Sequence, residues 1–137
     1  MTLMFHPDQG TVLICDFSTG FKAPEMVKKR PVVIVSPRRR QGSPLYTVVP
    51  LSTTPPTPVE PYHHQIDPKS LPGQLGRKQT WAKCDMLNTV SLDRLDRVLI
   101  RQANGKRLYT SGMLTRDDWQ SIRQCLRYAL DLDASAS

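Results

Sequence analysis

The sequence predicts a mainly β (α+β) fold, a small and partly open β-barrel closed by one C-terminal amphipathic helix. Short runs rich in β-branched residues recur along the chain, and turns rich in Pro and Gly separate them. The one long stretch with helical periodicity lies near the C-terminus. No internal repeat or second set of elements is visible, so we expect a single domain over residues 1–132 and a short flexible tail at residues 133–137.

Short apolar runs predict the strands. They are Thr11–Phe17, Arg30–Val35, Leu45–Thr53, Tyr62–Ile66 and Gln79–Leu87. The second run is apolar without alternation, so we expect both of its faces to be covered. The last run alternates, and Trp81, Lys83 and Asp85 should share one face of its strand. The Pro- and Gly-containing stretch 67–78 between the last two runs is predicted to be a loop.

The C-terminal third contains a hairpin signal and a helix. Ser91 should cap a single helical turn over residues 91–95. Asn104-Gly105, between the apolar runs 98–100 and 108–109, is typical of a tight β-hairpin. Thr115 is a good helix N-cap, and Asp117 and Asp118 in the first turn complement the helix dipole. The apolar stripe of this helix comprises Trp119, Ile122, Leu126 and Leu130.

Composition and charge favour a polyanionic partner. The chain of 137 residues carries 19 Lys and Arg against 12 Asp and Glu, which gives a formal charge of +7. Its apolar content of 39% and charged content of 23% are those of an ordinary globular domain, not of a disordered or membrane protein. Such excess positive charge favours nucleic acid first, and acidic protein segments or anionic membrane surfaces less.

Nothing in the sequence indicates a metal, a cofactor or a membrane segment. The adjacent His63 and His64 would point to opposite faces of a strand and make a poor chelate, and no phosphate-binding glycine loop is present. Cys15, Cys84 and Cys125 lack the spacing of a disulfide framework or zinc site, so we expect buried thiols in a reducing compartment. Without a secretory signal or membrane span, the expected location is the cytoplasm.

Two strand ends carry the most informative chemistry. Arg30 begins the second predicted strand, and the hydroxyls of Ser52 and Thr53 end the third. If these strands pair in one sheet, the guanidinium and a hydroxyl reach one groove. A planar, permanently charged donor beside a hydroxyl is suited to a phosphodiester.

Four segments occur in an order that resembles the MazF/PemK family, the toxins of type II toxin–antitoxin pairs. They are residues 30–33 (Arg-Pro-Val-Val), 49–54 (Val-Pro-Leu-Ser-Thr-Thr), 81–86 (Trp-Ala-Lys-Cys-Asp-Met) and 89–95 (Thr-Val-Ser-Leu-Asp-Arg-Leu). Gly20 and Glu25 also stand where the family's loop before the Arg-Pro pair carries Gly and Glu. The motifs cover roughly Gly10 to Leu95, and the order of elements extends to the C-terminal helix.

The resemblance implies an SH3-like barrel that forms a two-fold homodimer. It also implies sequence-specific, metal-independent cleavage of single-stranded mRNA, which arrests translation until an antitoxin binds. The family's catalytic arginine corresponds to Arg30, and its catalytic threonine to Ser52 or Thr53. The basic groove predicts an acidic antitoxin segment. No general base is identified, since His6, His63 and His64 match no motif.

RNA recognition should involve basic residues around this groove, together with aromatic rings on which bases stack. The predicted RNA-binding residues are Glu25, Lys28, Lys29, Arg38, Arg39, Arg40 and Arg77. Phe21 and Tyr62 are candidate stacking rings. For Trp81 we favour a core aromatic over a stacking role.

Two other functions are compatible with the predicted fold. One is a non-catalytic toxin that poisons DNA gyrase, although the tail at residues 133–137 lacks the tryptophan that such toxins carry. The other is a basic nucleic-acid-binding barrel without nuclease activity. Arg30 before a buried strand, with hydroxyls ending the next one, favours the nuclease.

Overall fold

The structure, a computed structural model, describes residue 3 and residues 5–38, 44–101 and 105–132. Within these ranges it contains ten strands and one α-helix. They are β1 (Thr11–Asp16), β2 (Lys29–Ile34), β3 (Leu45–Ser52), β4 (His63–Gln65), β5 (Trp81–Lys83), β6 (Asn88–Ser91), β7 (Leu95–Asp96), β8 (Val98–Arg101), β9 (Arg107–Thr110), β10 (Gly112–Met113) and α1 (Arg116–Ala129). Short 3-10 helices span Pro68–Ser70, Gly73–Arg77, Cys84–Met86 and Leu92–Arg94.

Eight strands form one antiparallel sheet. Its order is β10-β1-β2-β3-β5-β4, while β6 also pairs with β3 and β7 with β1. Along one edge, β1 pairs first with β10 and then with β7, and β3 pairs first with β6 and then with β5. These changes of partner bend the sheet. Strands β8 and β9 form a separate hairpin. The prediction of a mainly β fold with one C-terminal helix is confirmed.

Strand β2 is covered on both faces, as its unbroken apolar run predicts. Val32, Val33 and Ile34 have no exposed surface. In the antiparallel register, Val32 pairs with Pro50 of β3, and Ile34 pairs with Val48. Because side chains alternate along a strand, neighbouring residues of β2 contribute to two different cores.

The two core clusters lie on opposite faces of the sheet. The first core comprises Leu3, Leu13, Cys15, Phe17, Met26, Val32, Ile34, Tyr46, Val48, Val90 and Leu95. The second core comprises Val12, Val33, Val49, Leu51, Ile66, Leu71, Ala82, Cys84, Leu114, Ile122 and Cys125. Helix α1 covers the second core with its apolar stripe, and Trp119 and Leu126 pack against the same cluster.

A buried carboxylate fixes the start of α1. The Asp118 Oδ1 atom accepts a hydrogen bond from His64 Nε2 at 2.7 Å, and its Oδ2 atom accepts from the Asp67 backbone N–H at 3.0 Å and from Ser70 Oγ at 2.5 Å. The Thr115 side chain caps the helix by accepting from the Asp118 backbone N–H. These bonds join the helix to β4 and to the 3-10 helix Pro68–Ser70.

Several sequence predictions are confirmed in detail. The helix begins after the Thr115 cap, and Ser91 caps the 3-10 helix Leu92–Arg94 by accepting from the Asp93 N–H. Strands β8 and β9 pair where the hairpin signal predicts them. Of its turn, Asn104 lies outside the described residues, as does the tail at 133–137.

The predicted strand Gln79–Leu87 is too long. The strand β5 spans only Trp81–Lys83, and the next residues turn in the 3-10 helix Cys84–Met86. Asp85 therefore does not continue the strand face of Trp81 and Lys83. The turn is needed because the chain leaves the end of β3 and pairs again, as β6, with the beginning of β3.

Three short strands, β6, β7 and β10, are absent from the sequence prediction. The stretch 67–78 was predicted to be only a loop, yet it contains two 3-10 helices. Asp67 caps the first of these by accepting from the Lys69 N–H, and Pro68 follows it at the first helical position. No helix in the described part of the chain is both long and apolar enough to cross a membrane.

Replacing Asp118 by Asn should destabilise the fold. An amide has one oxygen where the carboxylate uses two, so acceptors for His64, Asp67 and Ser70 cannot all be kept. We expect the free energy of unfolding to fall by about 2–3 kcal/mol, since a hydrogen bond to a charged group contributes ~1.5–3 kcal/mol. Thermal unfolding would measure this as a Tm lower by roughly 5–10 °C. The matched control, Asp117→Asn in the same helical turn, changes an exposed carboxylate and should leave Tm nearly unchanged.

Candidate functional site

A groove of about 340 Å³ opens where β2 begins and β3 ends. Its floor is apolar and is formed by Leu51, Leu71 and Leu75, while its rim is polar. The full set of lining residues is Lys29, Arg30, Pro31, Leu51, Ser52, Thr53, Leu71, Gln74, Leu75, Lys78 and Thr80. Two strand ends and the segment containing the 3-10 helix Gly73–Arg77 thus meet around one cleft.

The sheet register aligns Arg30 with Ser52. Since Val32 pairs with Pro50, the same antiparallel register continued by two residues brings Arg30 opposite Ser52. Ser52 pairs in turn with Trp81 of β5, and Trp81 pairs with Gln65 of β4. We call these four residues, which cross the sheet strand by strand, the Arg30 row.

The Arg30 row continues the face of the first core. Val32 and Ile34 of β2 belong to that core, and Arg30, two residues before Val32, lies on the same face of the strand. Ser52, four residues after Val48 in β3, likewise shares the face of Val48. The face is therefore apolar in the middle of the sheet and becomes polar at this end. Arg30 and Ser52 still line the groove, although its floor residues Leu51, Leu71 and Leu75 belong to the second core on the opposite face, so both faces of the sheet contribute to this end.

Ser52 and Thr53 differ in environment, although both line the groove. Ser52 is 5% exposed, and its Oγ atom accepts a hydrogen bond from the Thr54 backbone N–H at 3.1 Å. That bond holds the oxygen and leaves the hydroxyl hydrogen free to be donated. Thr53 is exposed and alternates to the face of Leu51, which forms part of the groove floor. Both hydroxyls therefore lie at the groove, and Ser52 is the one that the register brings opposite Arg30.

Two donors of the Arg30 row have no hydrogen-bond partner among the described residues. They are Arg30 Nε and Trp81 Nε1, and both atoms are buried. A buried donor without an acceptor costs roughly 1–3 kcal/mol, so such groups are rare in native proteins and call for a reason. Here they stand on either side of Ser52 in the row.

The PemK-like, MazF-like toxin family of type II toxin–antitoxin systems matches residues 8–130. The chain belongs to this family. The match extends beyond the motif region recognised in the sequence and includes helix α1. Among curated proteins none matches the chain.

Solved MazF-type structures share the fold. An endoribonuclease from a mycobacterial species, in complex with its cognate antitoxin, superimposes with a TM-score of 0.62 at 23% identity, covering 93% of this chain and 97% of that one. A second mycobacterial endoribonuclease gives a TM-score of 0.64 at 23% identity and covers 95% and 96%. MazF from Deinococcus radiodurans gives 0.60 at 20% identity and covers 93% and 98%.

The predicted basic residues of this toxin-family chain distribute unevenly around the groove. Lys29 is exposed and lines it. Lys28 is exposed on the preceding loop, where its backbone carbonyl accepts from the Phe17 N–H. Arg77 is exposed but is not a lining residue. Arg38 is exposed and approaches the Asp8 carboxylate to 3.6 Å.

Two further candidates, Arg39 and Arg40, lie outside the described residues. Glu25 is exposed, and its Oε1 atom accepts from the Lys22 N–H at 3.1 Å. Its carboxylate therefore closes the turn before β2. A role in RNA binding for these residues stays a prediction.

The aromatic candidates differ in how they pack. Phe21 packs edge-on against Phe17, and the Arg94 guanidinium lies 4.8 Å from its ring centre, so Phe21 is already engaged. Tyr62 packs against the second core. Trp81, favoured as a core aromatic, is half-buried and belongs to neither core cluster of the described residues. The core prediction for Trp81 is therefore not supported, because its side of β5 faces the polar end of the sheet.

Sequence reasoning missed Gln74 and Lys78, which line the groove from the supposed loop. Leu71 and Leu75, four residues apart, anchor this segment on the second core. The Asp67-Pro68 pair, a cap followed by proline, and that apolar spacing were the available signals of a structured segment.

Among the described residues that line the groove there is no histidine. His63 Nδ1 accepts from the Glu60 N–H at 3.0 Å, so the proton of the neutral ring resides on Nε2, which lies 3.9 Å from Asp85 Oδ1. His64 is engaged with Asp118. Within the described residues, His, Cys, Asp and Glu form no group of three suited to a metal ion.

The three cysteines are buried free thiols, as predicted. Burial raises the pKa of Cys15, which pairs with Arg30 across β1 and β2, from its ordinary value of 9.0 to about 12. The Cys84 and Cys125 thiols share a hydrogen bond that raises the pKa of Cys84 and lowers that of Cys125; burial adds to the first shift and opposes the second.

The raised pKa of Cys15 predicts a loss of stability in alkali. Between pH 9 and about 12 the thiol ionises in the unfolded chain but not in the folded one, so the unfolded state binds fewer protons and the free energy of unfolding falls as pH rises. The limiting slope is about 1.4 kcal/mol per pH unit for one group. Urea unfolding of the wild type and of Cys15→Ala from pH 8 to 10.5 measures it, and the variant should lose less stability over this interval. Parallel curves for the two proteins would contradict the assignment to Cys15.

Proposed function

We propose that this toxin-family chain is a sequence-specific, metal-independent endoribonuclease that cleaves single-stranded mRNA and so arrests translation. The observation that carries the proposal is the alignment of Arg30 with Ser52 at the border of one groove. The surrounding groove is basic at its rim, through Lys29 and Lys78, which suits a phosphodiester backbone.

The proposed reaction uses the nucleophile that RNA itself supplies. The 2′-hydroxyl attacks the adjacent phosphorus and gives its proton to water, the bond to the 5′-oxygen breaks, and that oxygen takes up a proton, so that a 2′,3′-cyclic phosphate and a 5′-hydroxyl end result. The enzyme must hold the three oxygens in line and stabilise the charge that develops on the phosphorane. Arg30 provides a fixed positive charge and a planar set of donors for the phosphoryl oxygens.

Ser52 supplies a neutral donor to the same phosphate. Its oxygen is held by the Thr54 N–H, so its own hydrogen can be directed at a phosphoryl oxygen. Since none of the described residues that line the groove is a histidine, the proposal assigns catalysis to charge stabilisation and alignment; Arg30 is also proposed to donate a proton to the leaving 5′-oxygen and to recover it from water.

The proposed regulation is by a partner that competes for the groove. One of the similar structures is an endoribonuclease in complex with its cognate antitoxin. For this chain we propose an acidic antitoxin segment that covers the basic rim and excludes RNA, and a homodimer as the functional unit. An RNA substrate and free thiols both fit a cytoplasmic location.

Replacing Arg30 by Ala should abolish RNA cleavage. The purified wild type and variant are incubated in EDTA with a long single-stranded RNA, and the new ends are mapped. The wild type should give discrete cuts with 5′-hydroxyl ends, and the variant should be slower by at least about 10²–10³-fold, the usual cost of removing one transition-state donor. Arg123→Ala, which removes an exposed arginine from α1, is the matched control and should cleave normally.

Intact RNA with both proteins, while the wild type still arrests growth, would refute the nuclease and favour a binding toxin such as a gyrase poison. Cleavage that requires a divalent cation would contradict the proposed mechanism.

The pair Ser52→Ala and Thr53→Ala separates the two candidate hydroxyls. Ser52→Ala should lower kcat by about 10²-fold, because it removes a donor in line with Arg30, while Thr53→Ala should change kcat little. Single-turnover cleavage of one mapped RNA site measures both. A larger loss in Thr53→Ala than in Ser52→Ala would transfer the role to Thr53.

A further inference from the structure

Trp81 is the half-buried aromatic of the Arg30 row. The chain has two tryptophans, and their environments differ. Trp119 packs against the second core from helix α1, whereas Trp81 belongs to neither core cluster of the described residues. Trp81 pairs directly with Ser52, so its neighbour across the strand is the hydroxyl proposed to act in catalysis.

Packing alone does not explain why a tryptophan occupies this position. The Nε1 donor of Trp81 is buried and has no acceptor among the described residues. A phenylalanine or leucine would fill an apolar site without that desolvation cost. Since Nε1 is covered, the exposed surface of Trp81 belongs to its other atoms, and a ligand would meet the carbon part of the residue.

The charge around Trp81 favours an anionic ligand. Lys83 lies on the same face of β5, two residues along, and Arg30 lies two strands away in the row. At the usual strand spacing, the Cα atoms of Arg30 and Trp81 are about 10 Å apart. One nucleotide and these long side chains can bridge that distance, so a phosphate held by Arg30 would bring an adjacent base to Trp81.

We propose that Trp81 is a stacking platform for the nucleobase next to the phosphate that Arg30 holds. Trp81 does not itself line the groove, so the inference, which rests on the proposed function, needs single-stranded RNA that continues from the groove along the Arg30 row. Stacking on an aromatic ring tolerates any base, so Trp81 supplies affinity and positions the backbone, and sequence preference comes from other contacts. Trp81 is a binding residue in this proposal and does not touch the reacting atoms.

Three variants test the stacking. Trp81→Leu removes the aromatic ring, Trp81→Phe keeps a smaller ring without the N–H, and Trp119→Phe is the matched control in the second core. Cleavage of a mapped single-stranded RNA gives KM and kcat for each. We expect KM to rise about 10-fold or more for Trp81→Leu and less for Trp81→Phe, with kcat nearly unchanged, since stacking contributes roughly 5- to 150-fold per base.

Fluorescence provides a readout that a structural role would not change. In Trp119→Phe the only tryptophan is Trp81, and a fully 2′-O-methylated single-stranded RNA, which cannot be cleaved, should quench its emission. In Trp81→Phe the remaining Trp119 should respond little to the same RNA. If Trp81→Leu fails to fold, as judged by its Tm, this arm still decides the proposal.

The outcomes separate this inference from the proposed function. Normal cleavage by the wild type, with unchanged KM in Trp81→Leu and no quenching in Trp119→Phe, overturns the stacking role and leaves the nuclease standing. If the methylated RNA quenches Trp81 but the wild type cleaves no RNA, the result supports the stacking role of Trp81 and refutes the proposed nuclease activity. No binding and no cleavage overturns both. Quenching by polyglutamate but not by RNA would assign Trp81 to an acidic protein segment instead and overturn the proposal.

Discussion

The register between β2 and β3 is the constraint on which the rest of this structure depends. Val32, Val33 and Ile34 are completely buried and divide between two cores, so each residue has one acceptable face. A slip by one residue would exchange those faces and expose apolar side chains that each contribute roughly 1.5–3 kcal/mol when buried. The same slip would separate Arg30 from Ser52. Packing energy in the middle of the sheet thus fixes the geometry of a polar site at its end.

How much of this could be predicted from sequence depends on the range of the interactions. The runs that became β1, β2 and β3 and the amphipathic helix α1 carry periodicity in their own residues, and Thr115 marks the helix start locally. The alignment of Arg30 with a hydroxyl also followed from two adjacent strands, although alternation alone could not decide between Ser52 and Thr53. The register, which pairing with a third strand, β5, reinforces, brings Ser52 opposite Arg30.

The sequence predictions are wrong where pairing between distant parts of the chain overrides the local hydrophobic pattern. Strands β7 and β10 have two residues each, and they exist because β1 offers them an edge. The turn at Cys84–Met86 interrupts a run that alternates well enough for a longer strand, since the chain must return to pair with the first half of β3. Gln74 and Lys78 reach the groove only because Leu71 and Leu75 anchor their segment on the second core. None of these placements is contained in a short window of sequence.

The Arg30 row is where the chain departs from the apolar pattern of its own strands. The face that holds Val32 and Val48 ends in a guanidinium, a hydroxyl and an indole. The guanidinium and the indole each carry a buried donor that has no acceptor in the described part of the chain. Each such donor lowers the free energy of unfolding, and apolar side chains at this end of the face would avoid that loss. Local choices that oppose the fold are expected where function requires them. The cost is tolerable because it is confined to one end of a sheet whose two cores, and whose helix anchored by Asp118, are otherwise well satisfied. In the proposed function, donors held in this way would need little rearrangement to bind a phosphate, and preorganised donors are effective at stabilising developing charge.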